Sequence, residues 1–273
     1  MKKIAFWKMS GSGNDFLVID GRDPSLIRDP SYFARQVCRP KVSVGADGVL
    51  LLEKSEAADF MMRIFNADGS EAEMCGNGAR CIARFAYLKG IARERMAFET
   101  VAGLVQAQIM GRRVKVKMGK PKDLALNQRI RIGEEEFLLH RVNTGVPHVV
   151  SAVKELKEAS VVDLGRKIRF HEAFQPAGTN VNFIAVDDSH HVHIRTYERG
   201  VEDETLACGT GSVASALISA ALGEVNSPVH LHTWGGETIT VYFERRGWQF
   251  QDVFMEGGAT VAYEGELWEE ALA

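Results

Sequence analysis

The chain repeats itself. When "GADGVLLLEKSEAADFMMRIFNADGSEAEMCGNG" from Gly45 is laid over "GTNVNFIAVDDSHHVHIRTYERGVEDETLACGTG" from Gly178, the two segments run together without a gap. Gly45 precedes Cys75 by 30 residues, and Gly178 precedes Cys208 by 30. Downstream, Cys75 to Gly90 and Cys208 to Gly223 are both 15 residues, and Cys75 to Gly103 and Cys208 to Gly236 are both 28. Upstream, "KMSGSGNDFLVI" matches "RVNTGVPHVVSA" with Gly13 over Gly145, at 32 and 33 residues from Gly45 and Gly178. In this register Arg199 lies over Asn66, and Asn180 over Asp47. Landmarks held in step over such a distance mark a duplicated unit, so the fold is built twice.

Each copy opens with a strand, then a helix ("DPSYFARQV"; "DLGRKIRFHEAF"), then a pair of alternating strands such as "VHIRTYE". An acidic turn leads into a Cys-Gly junction and a helix of small and apolar residues, "ARCIARFAYLK" or "SVASALISAAL". Gly90 and Gly223 stand where a left-handed C-cap stops that helix. The near absence of charge in the second of these helices implies burial on almost every side. Alternating hairpin strands close each copy, "LVQAQIMGRRVKVKMG" and "ETITVYFERRGWQFQDVFMEG". The expected fold class is α+β: two pseudo-symmetric domains, each a mostly antiparallel sheet wrapped around a central helix. The polar stretch "GKPKDLALNQ", Gly119 to Gln128, sets the expected boundary, with domains over 1–122 and 123–259.

At 273 residues and 45% hydrophobic content, the chain has material for two ordinary cores. A net charge of -3, with Lys and Arg scattered, provides no basic field for nucleic acid. The N-terminal "MKKIAFWKMSGSGNDFLVID" alternates apolar with polar residues and resembles neither a signal peptide nor a membrane span, so a soluble, cytosolic protein is expected. The four cysteines, Cys38, Cys75, Cys81 and Cys208, contain no CxxC and are expected to be thiols.

The Cys-Gly junctions carry the chemistry. A helix start leaves backbone N–H groups unpaired and bears the positive end of the helix dipole, which suits a carboxylate. A cysteine there has its thiolate stabilised and becomes a better base. Two such sulfurs, one per copy, suit a cleft in which one removes a proton from a carbon and the other returns it to the opposite face. The helix starts would hold the α-carboxylate and stabilise the enolate-like charge. That is a racemase or epimerase arrangement, and it demands no cofactor. Each piece also has a plainer reading. A cysteine at a helix start is often a small core residue, Glu198 and Arg199 could form a surface ion pair, and Asn14 could shape a turn. Cys38 and Cys81 have no counterpart in the other copy and read as structural. "HVH" at His191 to His193 and "HLH" at His230 to His232 each place two imidazoles on one strand face, but without a Cys or carboxylate cluster no metal is expected.

The motifs "KMSGSGNDFLVID", "GADG", "FNADGSEAEMCGNGARC", "ETVAG", "TGVPH", "GTNVNF" and "RTYERGVEDETLACGTGS" resemble the diaminopimelate epimerase family over nearly the whole chain. The resemblance implies cofactor-independent interconversion of LL- and meso-diaminopimelate, on the way to lysine and peptidoglycan, with Cys75 and Cys208 as thiolate and thiol. It implies His148 and Glu198 as helpers that steer the protonation of the thiols. Ligand contacts are implied at Asn14, Asn66, Gly76, Asn77, Asn180, Glu198, Arg199, Gly209 and Thr210, with Arg199 suited to the distal carboxylate. The C-terminal strand, 260–273, is expected to return to the first domain, and a homodimer is the family's usual assembly.

This chain departs from the family at three positions. Ser10 stands where many members have His, Val146 replaces the Asn of "GNPH", and Gly48 replaces a Gln found in some members. Rival readings are a proline- or histidine-type racemase of the same two-thiol logic, and an amino-acid-binding or redox protein whose cysteines close a disulfide.

Overall fold

The computed structural model describes residues 3–272. It divides into two compact units, Met1–Val116 with Gly257–Ala273, and Lys117–Glu256.

The first unit contains strands β1 (Lys3–Gly11), β2 (Asn14–Asp20), β3 (Gly48–Glu53), β4 (Phe60–Asn66), β5 (Glu71–Ala72), β6 (Arg95–Thr100), β7 (Gly103–Met110) and β8 (Arg113–Lys117). Its helices are α1 (Pro30–Val37) and α2 (Gly76–Leu88). Neighbouring strands pair antiparallel except β2 with β3 and β4 with β6. Helix α2 lays Ala79, Ile82, Ala83, Phe85 and Ala86 against Phe16, Val18, Leu50, Leu52, Phe60 and Met62. On the other face of the sheet, Phe33, Ala34 and Val37 of α1 meet Leu17, Ile19, Val49, Leu51 and Phe65. Cover on both faces explains why "GVLLL" of β3, Gly48 to Leu52, is apolar throughout instead of alternating. Each fully buried Leu or Phe in these layers contributes about 1.5–3 kcal/mol. Helix α1 starts where Pro30 presets φ and the Asp29 side chain accepts from Tyr32 N at 2.9 Å.

The second unit repeats the plan with β9 (Lys122–Ile132), β10 (Glu135–Asn143), β11 (Pro147–Ala152), β12 (Asn180–Val186), β13 (His191–Glu198), β14 (Asp203–Thr205), β15 (Val229–Thr233), β16 (Thr238–Arg246) and β17 (Gln249–Gly258). The parallel pairs recur as β11 with β12 and β13 with β15. Helix α4 (Gly209–Leu222) is buried along nearly its whole length, as its lack of charge implies, and ends at Gly223 with φ 84°. Helix α3 (Val161–Arg169) covers the opposite face. It stops at Arg169, short of the expected Phe174, because His171 starts a separate 3-10 turn by accepting from Ala173 N at 3.2 Å. The last strand, β18 (Thr260–Trp268), pairs antiparallel with β1, the place in the first unit that β9 takes beside β10 in the second. The duplicated α+β architecture is therefore as the sequence implied.

The gapless overlay nonetheless misplaces the central strands. Phe16 pairs with Gly48 in β2 and β3, and His148 pairs with Asn180 in β11 and β12. Phe60 of β4 pairs with Phe98, while Val192 of β13 pairs with Leu231. In three dimensions Gly48 thus corresponds to Asn180, Leu50 to Asn182, and Asn66 to Glu198. The second copy has one residue fewer between its left-handed glycine (Gly45 or Gly178) and the strand, and one more in the turn before the Cys-Gly junction. The two changes cancel in the sequence and hide a one-residue strand shift. The expected overlay of Asn180 on Asp47 and of Arg199 on Asn66 is corrected accordingly.

Candidate functional site

In each unit the two parallel central strands begin, and the next strand ends, at the edge where the central helix starts. In the first unit Cys75 is the N-cap of α2, in extended conformation, and its Sγ accepts from Gly78 N at 3.4 Å. Gly76 opens the helix. Asn77 is buried and tied on both sides. Its Nδ2 donates to Asn14 Oδ1 at 2.6 Å, and its Oδ1 accepts from Arg80 Nη2 at 2.9 Å. Asn14 in turn donates to Asp47 Oδ2 at 3.0 Å. The Arg80 guanidinium is fully buried, bonding to Gly258 O at 3.2 Å and to the Ser12 hydroxyl. Asn66 lies exposed at the end of β4, bonded to Ser70 Oγ at 3.0 Å and not to the Asn14–Asn77 pair. Gly48 has no room for a side chain, because a Cβ there would stand 2.6 Å from Phe65 O. Ser10 sits in β1, paired with Asp15 and Thr260.

In the second unit Cys208 is the N-cap of α4 and is buried. Its Sγ lies 3.6 Å from Thr210 Oγ1, which lies 2.9 Å from His148 Nε2. His148 Nδ1 is 3.2 Å from Asn182 Nδ2. Thr144 Oγ1 donates to Thr210 O at 3.0 Å and holds that residue in place. Burial, with the nearby Arg199 charge, pushes the His148 pKa down to about 3, so the ring is neutral. Asn180 donates to Pro147 O at 3.0 Å and accepts from Arg199 N at 2.9 Å. The Arg199 guanidinium donates to Ala177 O at 2.8 Å. Glu198 ends β13, and burial raises its carboxyl pKa. Gly209 is the first helical residue. A cavity of about 240 Å³ beside His148 is lined by Asn143, Pro147, Ala177, Gly178 and Thr179. Val146, at the position equivalent to Asn14, is half-buried and brings no amide.

Each edge therefore combines a sulfur with the donors of a helix start, which suits proton transfer beside an anion. The second unit brings His148, Thr210 and Cys208 together, and His148 meets the sulfur only through Thr210. Three residues escape sequence reasoning: Asp47, Arg80 and Asn182. Asn182 left a trace, because "NVNF" puts Asn180 and Asn182 on one strand face.

The remaining thiols sit elsewhere. Cys81, on α2, is fully buried in the core, and burial pushes the Cys38 thiol up to about 11. The paired histidines do meet across β13 and β15, His191 opposite His230 and His193 opposite His232. His191 Nδ1 and His232 Nε2 lie 2.9 Å apart in rings inclined by 7°, so one ring donates to the other in a shared plane. Among the described residues no group of three or more His, Cys, Asp or Glu could hold a metal ion. Among them, too, no helix is long and apolar enough to cross a membrane.

Comparison with known proteins bears on the whole chain. A diaminopimelate epimerase from Aquifex aeolicus is 45% identical over 284 residues, covering 98% of this chain and 99% of the relative. One from Hydrogenobaculum sp. is 46% identical over 273 residues, covering 95% and 97%. A phenazine biosynthesis protein of the PhzF family from Bacillus anthracis shares the fold, with a TM-score of 0.75 at 18% identity over 98% of this chain and all of the other. The family model described as diaminopimelate epimerase matches residues 6–124 and 140–261, and the chain belongs to that family.

Proposed function

We propose that the protein interconverts LL- and meso-diaminopimelate, with Cys75 and Cys208 as the two bases. The observation that carries this reading is the cysteine N-cap at the same place in both copies, each before a helix opening on glycine. In one direction a thiolate takes the α-proton, the pair of electrons left on carbon delocalises into the carboxylate, and the other thiol protonates the opposite face. The first sulfur ends as thiol and the second as thiolate, which is the arrangement the reverse reaction requires. Helix-start N–H groups at Gly76, Asn77, Gly209 and Thr210 stabilise the charge that develops on the carboxylate. Asn14, Asn66, Asn180 and Arg199 are the polar groups from which the rest of the substrate would be recognised, and Glu198 and His148 adjust the protonation of the thiols. On the habit of the family alone, a cytosolic homodimer completes the proposal, and sedimentation would test the assembly.

The test is proton NMR of the reduced protein with LL-diaminopimelate in deuterated water. Loss of the α-proton signal with growth of the meso isomer is expected. Cys75→Ala and Cys208→Ala should each abolish epimerisation while leaving the fold intact by circular dichroism. A folded, reduced wild type that exchanges no α-proton would reject diaminopimelate as the substrate, and turnover in either alanine variant would reject the two-thiol mechanism.

A further inference from the structure

The two cysteines are not in equivalent surroundings, and the difference has a direction. Beneath the start of α4 lies a chain of polar side chains, Thr196, Asn182, His148 and Thr210, ending at Cys208. Asn182 is fully buried, and its amide can be oriented in one way only. Its Oδ1 accepts from Thr196 Oγ1 at 3.0 Å, and its Nδ2 donates to Val149 O at 2.9 Å. Turning the amide over would set its oxygen against the carbonyl of Val149. The second hydrogen of Nδ2 therefore points at His148 Nδ1, which must accept. A neutral ring has one N–H, and here it is on Nε2, 2.9 Å from Thr210 Oγ1. Thr210 consequently accepts from His148, and its own hydrogen is left for Cys208 Sγ at 3.6 Å. In the first unit the positions of His148 and Asn182 are taken by Phe16 and Leu50, both in the apolar core, and the Cys75 sulfur accepts from a backbone N–H.

We infer that Asn182 is a positioning residue for proton transfer: by fixing the tautomer of His148 it turns the Thr210 hydroxyl toward Cys208, giving that sulfur a hydroxyl hydrogen-bond donor. The inference rests on the reading of Cys208 as a base, and names what prepares it. A hydroxyl donor stabilises thiolate over thiol, so Cys208 ionises more readily than it would without the relay. The burial that keeps His148 neutral also keeps it from acting as the cation of an ion pair. The charged groups around the relay are Arg199 and Glu198 at the end of β13, with Asp123 and Arg141 lining the cavity beside His148. The strands β15 and β16 contribute Val229, Leu231, Ile239 and Val241 to the core around α4.

Two measurements test this without a substrate. Nitrogen NMR of histidine-labelled protein, with the His148 signals assigned through His148→Gln, should show protonated Nε2 and bare Nδ1. The opposite tautomer would overturn the inference. The ultraviolet thiolate absorbance, titrated with pH and assigned by its loss in Cys208→Ala, should move up by about one pH unit or more in Thr210→Val. Thr210→Ser should restore it. Asn182→Asp should act like Thr210→Val, since a carboxylate would accept from Nδ1–H and leave Nε2 to draw in the Thr210 hydrogen. An unmoved Cys208 titration in folded Thr210→Val sinks the relay, and one unmoved in folded Asn182→Asp sinks the role of Asn182. If a buried aspartate prevents folding, the tautomer measurement and the Thr210 pair decide. Wild-type epimerisation, assayed alongside, fails separately if the substrate is wrong.

Discussion

His148 shows how much of a residue's behaviour is set by what surrounds it. In the unfolded chain its imidazole would titrate near 6.5, but in the folded protein burial and the Arg199 charge hold it down to about 3. Below pH 6.5 the unfolded chain binds a proton that the native state refuses, so stability rises with pH through this window and is lost as pH falls toward 3. Above 6.5 the contribution is complete. Glu198 works in the opposite sense. Its folded carboxyl keeps a proton to higher pH than the unfolded one, so its contribution is present below the ordinary 4.5 and lost as pH rises through the raised value. Urea unfolding across the window from 6.5 down to about 3 should therefore show a shallower pH slope for His148→Gln than for the wild type. An equal slope would mean that the buried ring takes a proton after all. His148 on its own reads as a core histidine, and its place at the site came from family motifs. Asn182 stood within "GTNVNF" without a role attached, and its function depends on which hydrogens its neighbours leave available, which a string of letters does not contain.

At the scale of elements, the two helix starts share a design but tolerate change differently. The third residue after each cysteine is a glycine, and the helix comes close to the strand below it. At Gly78 an added Cβ would stand 3.0 Å from Leu50 Cδ2 and 3.5 Å from Ile64 Cδ1, the ends of side chains that can turn aside. At Gly211 it would stand 2.3 Å from Asn182 Oδ1, which is pinned by Thr196, and 3.2 Å from Cys208 Sγ. Gly211→Ala should thus cost about 1–3 kcal/mol of stability and depress kcat sharply by disturbing the amide and the sulfur together. Gly78→Ala should cost less on both counts. Thermal melts and rate measurements on the two variants check this, and a milder Gly211→Ala would mean that the Asn182 amide is not held as tightly as its bonds indicate. The helices, their caps and the hairpins were legible in periodicity and glycine placement. The exact strand register was not, because one residue lost before β12 and one gained after β13 preserve every spacing on which an overlay depends. A one-residue slip exchanges the faces of a strand, so the error put Asn180 and Arg199 over the wrong partners.

Over the whole molecule, the duplication was legible because it leaves matched intervals, whereas the return of the last strand leaves no local trace. Strand β18 pairs with β1 from Lys3 opposite Trp268 to Ser10 opposite Thr260. It carries Leu267 into the core beneath α1, and Gly265 lies close to the ring of Phe6, where an added Cβ would stand 3.0 Å from Phe6 Cζ. Ending the chain at Ala259 would expose the edge of β1 and uncover Ile4 and Phe6, while removing nothing from the second unit. Tryptophans report on the two units separately: Trp7 and Trp268 belong to the first, Trp234 and Trp248 to the second. Trp7 packs edge-on against Phe85 with ring centroids 5.1 Å apart, so its emission should follow unfolding of the first core. In a background with Trp234, Trp248 and Trp268 changed to Phe, the transition seen by Trp7 alone should fall by more than ~3 kcal/mol on truncation, the scale of removing a large buried group and the strand that carries it. The transition seen by Trp234 and Trp248, with Trp7 and Trp268 changed to Phe, should stay where it was. If both probes moved together, the two units would form one cooperative folding block, and the duplicated plan would describe the ancestry of the sequence without describing how its stability is divided.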